Sequence, residues 1–358
     1  MTKLNTSPEE IEKAAEILKD GGLVAFPTET VYGLGVDAFN LFALAKVFEV
    51  KCRPHFDPLI IHIAGIDSLE RIACLDNFDL HCREQLRLLV DSFWPGPLTL
   101  VLPKRGEVPD LATAGLPTAA IRFPSHPIAQ QLIMLSTGAV AAPSANPFGR
   151  LSPSRAEHVI KALGDSIDCI IDGGPCSVGV ESTVLELFPG NSQHVAGPRI
   201  LRHGGISREQ LESLIGPVTD GSKNNADLNC EQNKTASLAA PGMLQSHYAP
   251  LIPLLLHSPE EMAALPYCEK EGYLFFSGKN RYLWQCSTST LQLPENYNVQ
   301  TILTLSEHGN ATEAAANLFE YLHILDKSGV SCIHAETLPE EGIGAAVNDR
   351  LRRASVNF

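Results

Sequence analysis

No G-x-x-x-x-G-K-[ST] run occurs in the 358 residues, which excludes a P-loop nucleotide site. G-x-S-x-G and H-E-x-x-H are also missing, and with them go the common serine-hydrolase and zincin arrangements. Nine cysteines contain no C-x-x-C pair, and Cys169 and Cys176 are spaced wrongly for a zinc knuckle. Their odd number fits reduced thiols acting as small buried hydrophobes. No apolar run approaches a membrane span. The opening "MTKLNTSPEEIEKAAEIL" has no apolar signal core, which argues against export and for a cytoplasmic protein. Internal repeats are absent too.

Basic excess is likewise lacking. The formal net charge is −14, with 18 Lys+Arg against 25 Asp+Glu in residues 1–216 and 9 against 16 in residues 217–358. An evenly acidic chain makes a poor generic nucleic-acid binder, although a local basic pocket stays compatible with it. With 44% hydrophobic and 19% charged residues the class is globular, and the length suits two domains.

The pattern that is present is strand–helix alternation. Ser7-Pro8-Glu9-Glu10 is a capping box, followed by Ile11, Ala14, Ala15 and Leu18 at helical spacing and stopped at Gly21-Gly22. "LVAFPTETVYGLG" reads as a buried strand broken by a turn. Asn40 caps a second helix that Pro54 prevents from running far past Arg53. "PLIIHIA", "LTLVLP", "AAIRFP", "GAVAAPSAN", "CIIDGG" and "STVLEL" are further strands, with a helix over 154–163 and a capped one from Ser207 to Gly216. These predict an α/β domain with a twisted mixed sheet. A polar stretch over 217–250 follows as a linker. Residues 251–358 then predict a smaller, doubly wound α/β domain, with a long helix near 311–328 and a closing basic helix.

"YGLGVDA" offers G-x-G-x-x-A at Gly33, Gly35 and Ala38, with Asp57 downstream, but no helix follows directly, so these are turn-permitting glycines rather than a dinucleotide fingerprint. The informative residues are polar ones at strand ends and turns. Thr28 and Thr30 sit in the break after the first strand, and Lys51 and Arg53 follow the second helix. His62 and Arg122 interrupt apolar strands. Ser144 and Asn146 lie in "APSANP", Ser182 in "GVESTV", and Arg202 before a glycine pair. Singly, each is more simply a satisfied core residue or a turn. Together they imply a shared polar cavity, because unpaired polar groups in buried strands are costly.

At these residues the chain resembles threonylcarbamoyl-AMP synthases of the YrdC-like family. "GGLVAFPTETVYGLG", "KCRPHFDPLIIHI", "FWPGPLTLVL", "AAIRFPSHP", "APSANPFGRLSP" and "GVESTVLEL" occur in family order over residues 4–205. "APGMLQSHYAP" within 206–250, followed by the second α/β domain, resembles the long, two-domain form. The resemblance implies synthesis of L-threonylcarbamoyl-AMP and pyrophosphate from L-threonine, bicarbonate and ATP. A downstream tRNA-modifying transferase complex would use the product on the adenosine beside the anticodon. Lys51 and Arg53 are then the triphosphate contacts and the catalytic cations. Asp57, Thr118, Ser144, Asn146, Ser152, Arg202 and Tyr248 are further ATP candidates. Thr30, His62, Arg122 and Ser182 form the threonine pocket. Magnesium arrives with ATP and no metal is held by the protein alone; membranes are not involved, and direct contact with tRNA is at most weak. The family commonly has asparagine at the position of Asp57; a carboxylate there either turns to a backbone N–H or helps hold magnesium. The resemblance also predicts that the segment around Met243, Leu244, His247 and Tyr248 closes over the pocket as a lid, as against simple anchoring of the second domain. Two rivals are a non-catalytic RNA-binding module and a carbamoyl-phosphate-dependent transferase.

Overall fold

A computed structural model of the chain describes residues 1–187, 197–222, 247–287 and 301–356. They divide into two compact units. The first comprises Met1–Phe148, Pro153–Ser177 and the described residues of 181–222; the second comprises Gly149–Ser152, Val178–Val180 and the described residues from 247 on.

The first unit opens with β1 (Thr2–Leu4) and α1 (Pro8–Lys19). Ser7 caps α1 by accepting the Glu10 N–H, and Ile11, Ala14, Ala15 and Leu18 form its buried stripe. Next come β2 (Val24–Phe26), β3 (Gly33–Asp37) and α2 (Leu41–Lys51). Asn40 caps α2 through the Phe42 and Ala43 N–H groups, and Cys52 turns the chain out at φ 51°. β4 (Ile60–Ile63), α3 (Leu80–Phe93), β5 (Leu98–Pro103), α4 (Asp110–Thr113) and β6 (Thr118–Arg122) follow. Then come α5 (Pro127–Leu135), β7 (Ala139–Ala141), α6 (Ala156–Leu163) and β8 (Cys169–Ile171). β9 (Thr183–Glu186), β10 (Arg199–Arg202), α7 (Arg208–Ile215) and β11 (Thr219–Asp220) complete the unit.

Among the described residues these strands form one mixed sheet in the order β1-β8-β2-β3-β7-β4-β6-β5-β9-β10-β11. Side chains alternate across a strand, so each strand serves two faces. Ile61, Ile63, Leu98, Leu100, Ala119, Ile121 and Leu185 face the main core. Their alternates Ile60, Val101, Ala120 and Val184 form a small cluster with Leu201 on the other face. α7 and β11 belong to this unit because β11 pairs with β10 and α7 packs on α3.

Gly33 and Gly35 lie inside β3, where a Cβ on Gly35 would come within 2.7 Å of Phe26 and 2.9 Å of Val140. Close packing, not a phosphate turn, accounts for that glycine. The thiols are less uniform than expected: Cys82, Cys169 and Cys176 are buried, while Cys52, at the outward turn after α2, and Cys286 are exposed.

The second unit contains β12 (Leu254–His257), α8 (Pro259–Ala264), β13 (Gly272–Ser277), α9 (Gly278–Ser287), β14 (Ile302–Ser306), α10 (Ala311–Lys327), β15 (Ile333–Glu336) and α11 (Gly344–Ser355). The sheet is wholly parallel, in the order β12-β15-β13-β14. α8 packs with α9 and α10 with α11, the doubly wound arrangement expected. Tyr248 is 1% exposed and belongs here: its ring lies 5.8 Å from that of Phe319, with the Arg350 guanidinium 5.3 Å from its centroid. Ser152 also falls in this unit, its carbonyl 3.1 Å from His323 Nε2. Of the rest of the expected lid, His247 is buried with its N–H donating to the Arg353 carbonyl at 3.3 Å, while Met243 and Leu244 lie outside the described residues.

Candidate active site

Strand register places the first group of polar residues. His62 pairs with Arg122 across β4 and β6, Arg122 with Thr99 across β6 and β5, and Thr99 with Val184 across β5 and β9. Partners in register share a face, so His62, Arg122 and Thr99 emerge in one row beyond the small apolar cluster. The β2–β3 turn reaches the same row. Arg122 Nη1 donates to Thr30 Oγ1 at 2.9 Å, and its Nη2 lies 2.6 Å from Glu29 Oε1. Thr28 Oγ1 is 2.8 Å from Thr30 Oγ1 and donates to the Val31 carbonyl, which fixes the turn.

Burial alone would raise the Glu29 carboxyl, but Arg122 and nearby backbone amides outweigh it and hold it below the usual carboxylate range. Burial, with Arg122 second, pushes His62 down to about 3, so the imidazole is neutral at physiological pH. Its Nδ1 lies 3.2 Å from the Ile60 carbonyl.

Ser182 joins this row to the next group. Its hydroxyl lies 2.7 Å from Thr99 Oγ1 and accepts from Arg202 Nη2 at 3.0 Å. Gly204 permits that approach, since a Cβ there would sit 2.3 Å from the backbone of Ser182 and Thr183.

The second group gathers where α2 ends. Lys51 is 1% exposed and donates through Nζ to the Ser144 carbonyl at 2.6 Å and to the Asn146 carbonyl. Burial, followed by the nearby Arg53 charge, holds its amine well below the usual lysine range. Arg53 donates to the carbonyls of Asp57 and Pro58 at 3.1 and 2.7 Å, and its Nη2 lies 2.8 Å from Asp57 Oδ2. Asp57 is wholly buried. Burial lifts its carboxyl above the usual range, against the pull of Arg53, Lys51 and Arg202. Three basic side chains thus lie around one carboxylate, and its Oδ2 is paired with the Arg53 guanidinium.

Most of the candidates converge: Thr30, His62, Arg122 and Ser182 in the row, and Lys51, Arg53, Asp57, Ser144, Asn146 and Arg202 in the cationic cluster. Thr118, an ATP candidate, opens β6 opposite Pro103, on the Arg122 face but four residues away, about 13 Å at ~3.3 Å per residue. Glu29 and Thr99 are site residues that the sequence reading passed over. Thr99 carries the same signal as His62, a polar residue inside an apolar strand, and Glu29 stands between two threonines already singled out.

The mixed α/β sheet thus carries a buried cluster of basic side chains beside an arginine–hydroxyl row, groups with the chemistry to meet a polyanion and a small carboxylate. Residues 16–204 match the family described as telomere recombination, and residues 206–356 match the threonylcarbamoyl-AMP synthase C-terminal domain. The chain is 39% identical to the threonylcarbamoyl-AMP synthase of Pyrococcus abyssi over 348 residues, covering 96% of this chain and 94% of the relative. It is 38% identical to the Bacillus subtilis enzyme of the same name over 356 residues, covering 99% and 95%. The crystal structure of P. abyssi Sua5 complexed with L-threonine superposes with a TM-score of 0.82 at 37% identity, covering 99% of this chain and 98% of that one. The chain belongs to the threonylcarbamoyl-AMP synthase family.

Proposed function

We propose that the protein makes L-threonylcarbamoyl-AMP and pyrophosphate from L-threonine, bicarbonate and ATP. The observation that carries the reading is the set of buried groups in which Lys51, Arg53 and Arg202 act on Asp57, Arg202 bonds Ser182, and Ser182 meets Thr99 opposite Arg122. Such a run can hold a triphosphate and an amino-acid carboxylate side by side. Family membership over nearly the whole chain supports it.

The chemistry explains why no protein nucleophile is needed. The amine of threonine captures CO₂ from bicarbonate, and the resulting carbamate oxygen attacks the α-phosphorus of ATP as pyrophosphate leaves. Positioning and charge neutralisation are then the protein's share of catalysis. Arg122, steadied by Glu29 and Thr30, takes the threonine carboxylate, while neutral His62 and the Ser182 hydroxyl offer hydrogen bonds to the rest of the amino acid. Lys51 meets the triphosphate as a point charge, and Arg53 and Arg202 grip its oxygens. Asp57, the carboxylate among these cations, is already engaged by Arg53. Magnesium therefore enters with ATP, held by phosphate oxygens and water.

The product feeds threonylcarbamoylation of the adenosine beside the anticodon through a downstream transferase complex. A net charge of −14 keeps direct tRNA contact weak. Among the described residues no helix is long and apolar enough to cross a membrane, and a tRNA-directed product favours the cytoplasm. The test is ATP turnover with threonine and bicarbonate omitted in turn, with products identified by mass spectrometry. AMP-linked product and pyrophosphate should form only when both are present. Release of ADP and phosphate would overturn the proposal.

A further inference from the structure

A cluster in the second unit lies outside everything assigned above. The sequence holds Cys268-x-x-Glu271 before β13 and Cys332-x-His334 leading into β15. These strands are parallel neighbours with Gly272 opposite Ile333, so Glu271 and Cys332 meet at the amino ends of the sheet. Cys332 Sγ lies 3.6 Å from His334 Nε2, and that nitrogen lies 3.1 Å from Glu271 Oε2. Among the described residues this is the one group of Cys, His and carboxylate side chains whose ligand atoms all fall within 4.8 Å of one another.

Both separations from His334 Nε2 suit an ion. Tetrahedral zinc, with bonds of about 2.3 Å to sulfur and about 2.0 Å to nitrogen and oxygen, separates sulfur from nitrogen by about 3.6 Å and nitrogen from oxygen by about 3.3 Å. The imidazole is also braced as a ligand would be. His334 Nδ1 lies 2.9 Å from His257 Nε2, and the Tyr273 ring stacks on His334 at 5.3 Å and 19°. With His334 Nδ1–H donating to His257 Nε2, the tautomer that metal binding selects, Nε2 is the nitrogen presented to a metal. His334 is buried while Glu271 and Cys332 are partly exposed, which gives an ion access and leaves its fourth position to water.

We propose that Glu271, Cys332 and His334 bind a divalent transition-metal ion of the zinc type, joining β13 to β15. A thiolate and an imidazole select against magnesium and calcium, so this is chemically distinct from the metal that accompanies ATP. Binding takes up the ion and releases the Cys332 thiol proton; no electron transfer is involved.

The test uses the full chain, stripped with a chelator and titrated with Co²⁺ alone. One equivalent should produce a thiolate-to-cobalt band in the near ultraviolet and tetrahedral bands in the visible, and Zn²⁺ should displace both. Cys332→Ser should abolish the near-ultraviolet band. His257→Ala should keep the band but weaken binding about ten- to a hundredfold. Should Cys332→Ser fail to fold in the chelated state, Glu271→Ala serves instead, with at least a tenfold loss of Co²⁺ affinity expected. Absence of the thiolate band, its survival in Cys332→Ser, or unaltered Co²⁺ affinity in Glu271→Ala would each overturn the proposal and leave a metal-free hydrogen-bonded triad.

Discussion

Arg53 and Asp57 form a buried ion pair, Nη2 to Oδ2 at 2.8 Å, in the place where the proposed reaction needs a free guanidinium. The carboxylate also carries a burial cost that keeps its pKa above the usual range. Triphosphate must therefore compete with Asp57 for Arg53. Asp57→Asn removes the competitor and the negative charge while keeping the shape. It should tighten ATP binding about five- to tenfold, or ~1 kcal/mol, the net scale of one ordinary hydrogen bond. Calorimetry with magnesium and ATP measures it. Weaker binding in the variant would mean that Asp57 serves the nucleotide, as a magnesium ligand would.

Lys51 gives a second, pH-dependent signature. In the free protein burial and Arg53 hold its amine well below the ordinary lysine range. A triphosphate beside it restores the charged form, so ATP binding should take up protons at pH values above the depressed pKa. Affinity should fall as pH rises through that window and level off below it. Titrations in buffers of different ionisation enthalpy detect the uptake, and Lys51→Met should abolish it. Uptake unchanged in Lys51→Met would assign the proton elsewhere.

Much of this site was legible because buried strands seldom carry polar residues. His62 inside "PLIIHIA" and Arg122 inside "AAIRFP" stand out against Ile60, Ile61 and Ile121 for that reason alone. Their common face was not legible, since it depends on which strands pair: β4 lies between β7 and β6, with one strand inserted between it and each of its chain neighbours β3 and β5. Thr99 is as conspicuous within "LTLVLP", but its place beside Arg122 comes only from that register. The assignment of Gly149–Ser152 and Val178–Val180 to the second unit was equally hidden, because chain adjacency favours the first. The packing reason is plain at Gly179, where a Cβ would meet the Ala315 carbonyl at 2.3 Å. Helix caps, by contrast, are local chemistry, and Ser7, Asn40 and Ser207 cap the helices they were read to cap or open.

The pairing of Arg122 with Glu29 separates binding from folding. Arg122→Ala should remove the proposed carboxylate partner of threonine and strand a buried Glu29, weakening threonine binding by about 1.5–3 kcal/mol and stability by about 3–5 kcal/mol. Because Glu29 is held below the usual carboxylate range, its share of stability is present above its unfolded pKa and lost as pH falls through the folded one. Glu29→Gln added to Arg122→Ala should recover part of the stability at neutral pH but none of the threonine affinity, with ATP affinity nearly unchanged in both. Calorimetry and thermal melts on the single and double variants decide this. Recovery of threonine binding in the double variant would show that Arg122 acts only through folding.

Tyr248 puts the expected lid to a test of a different kind. Its ring is buried between Phe319 and Arg350 and its backbone sits at φ 63°, so within the second unit it is a core residue. An aromatic side chain packed this way leaves a cavity when truncated, at a cost of about 3–5 kcal/mol for aromatic-to-alanine changes. Tyr248→Ala should therefore lower the unfolding temperature of the second unit. Tyr248→Phe keeps the ring and its contact with Arg350, and should restore that temperature to near the parent value. If the hydroxyl also contacts nucleotide, as the lid reading requires, Tyr248→Phe would weaken ATP binding without any loss of stability. Unchanged ATP affinity in Tyr248→Phe, with the stability loss confined to Tyr248→Ala, would make the residue an anchor of the second unit and not part of a lid.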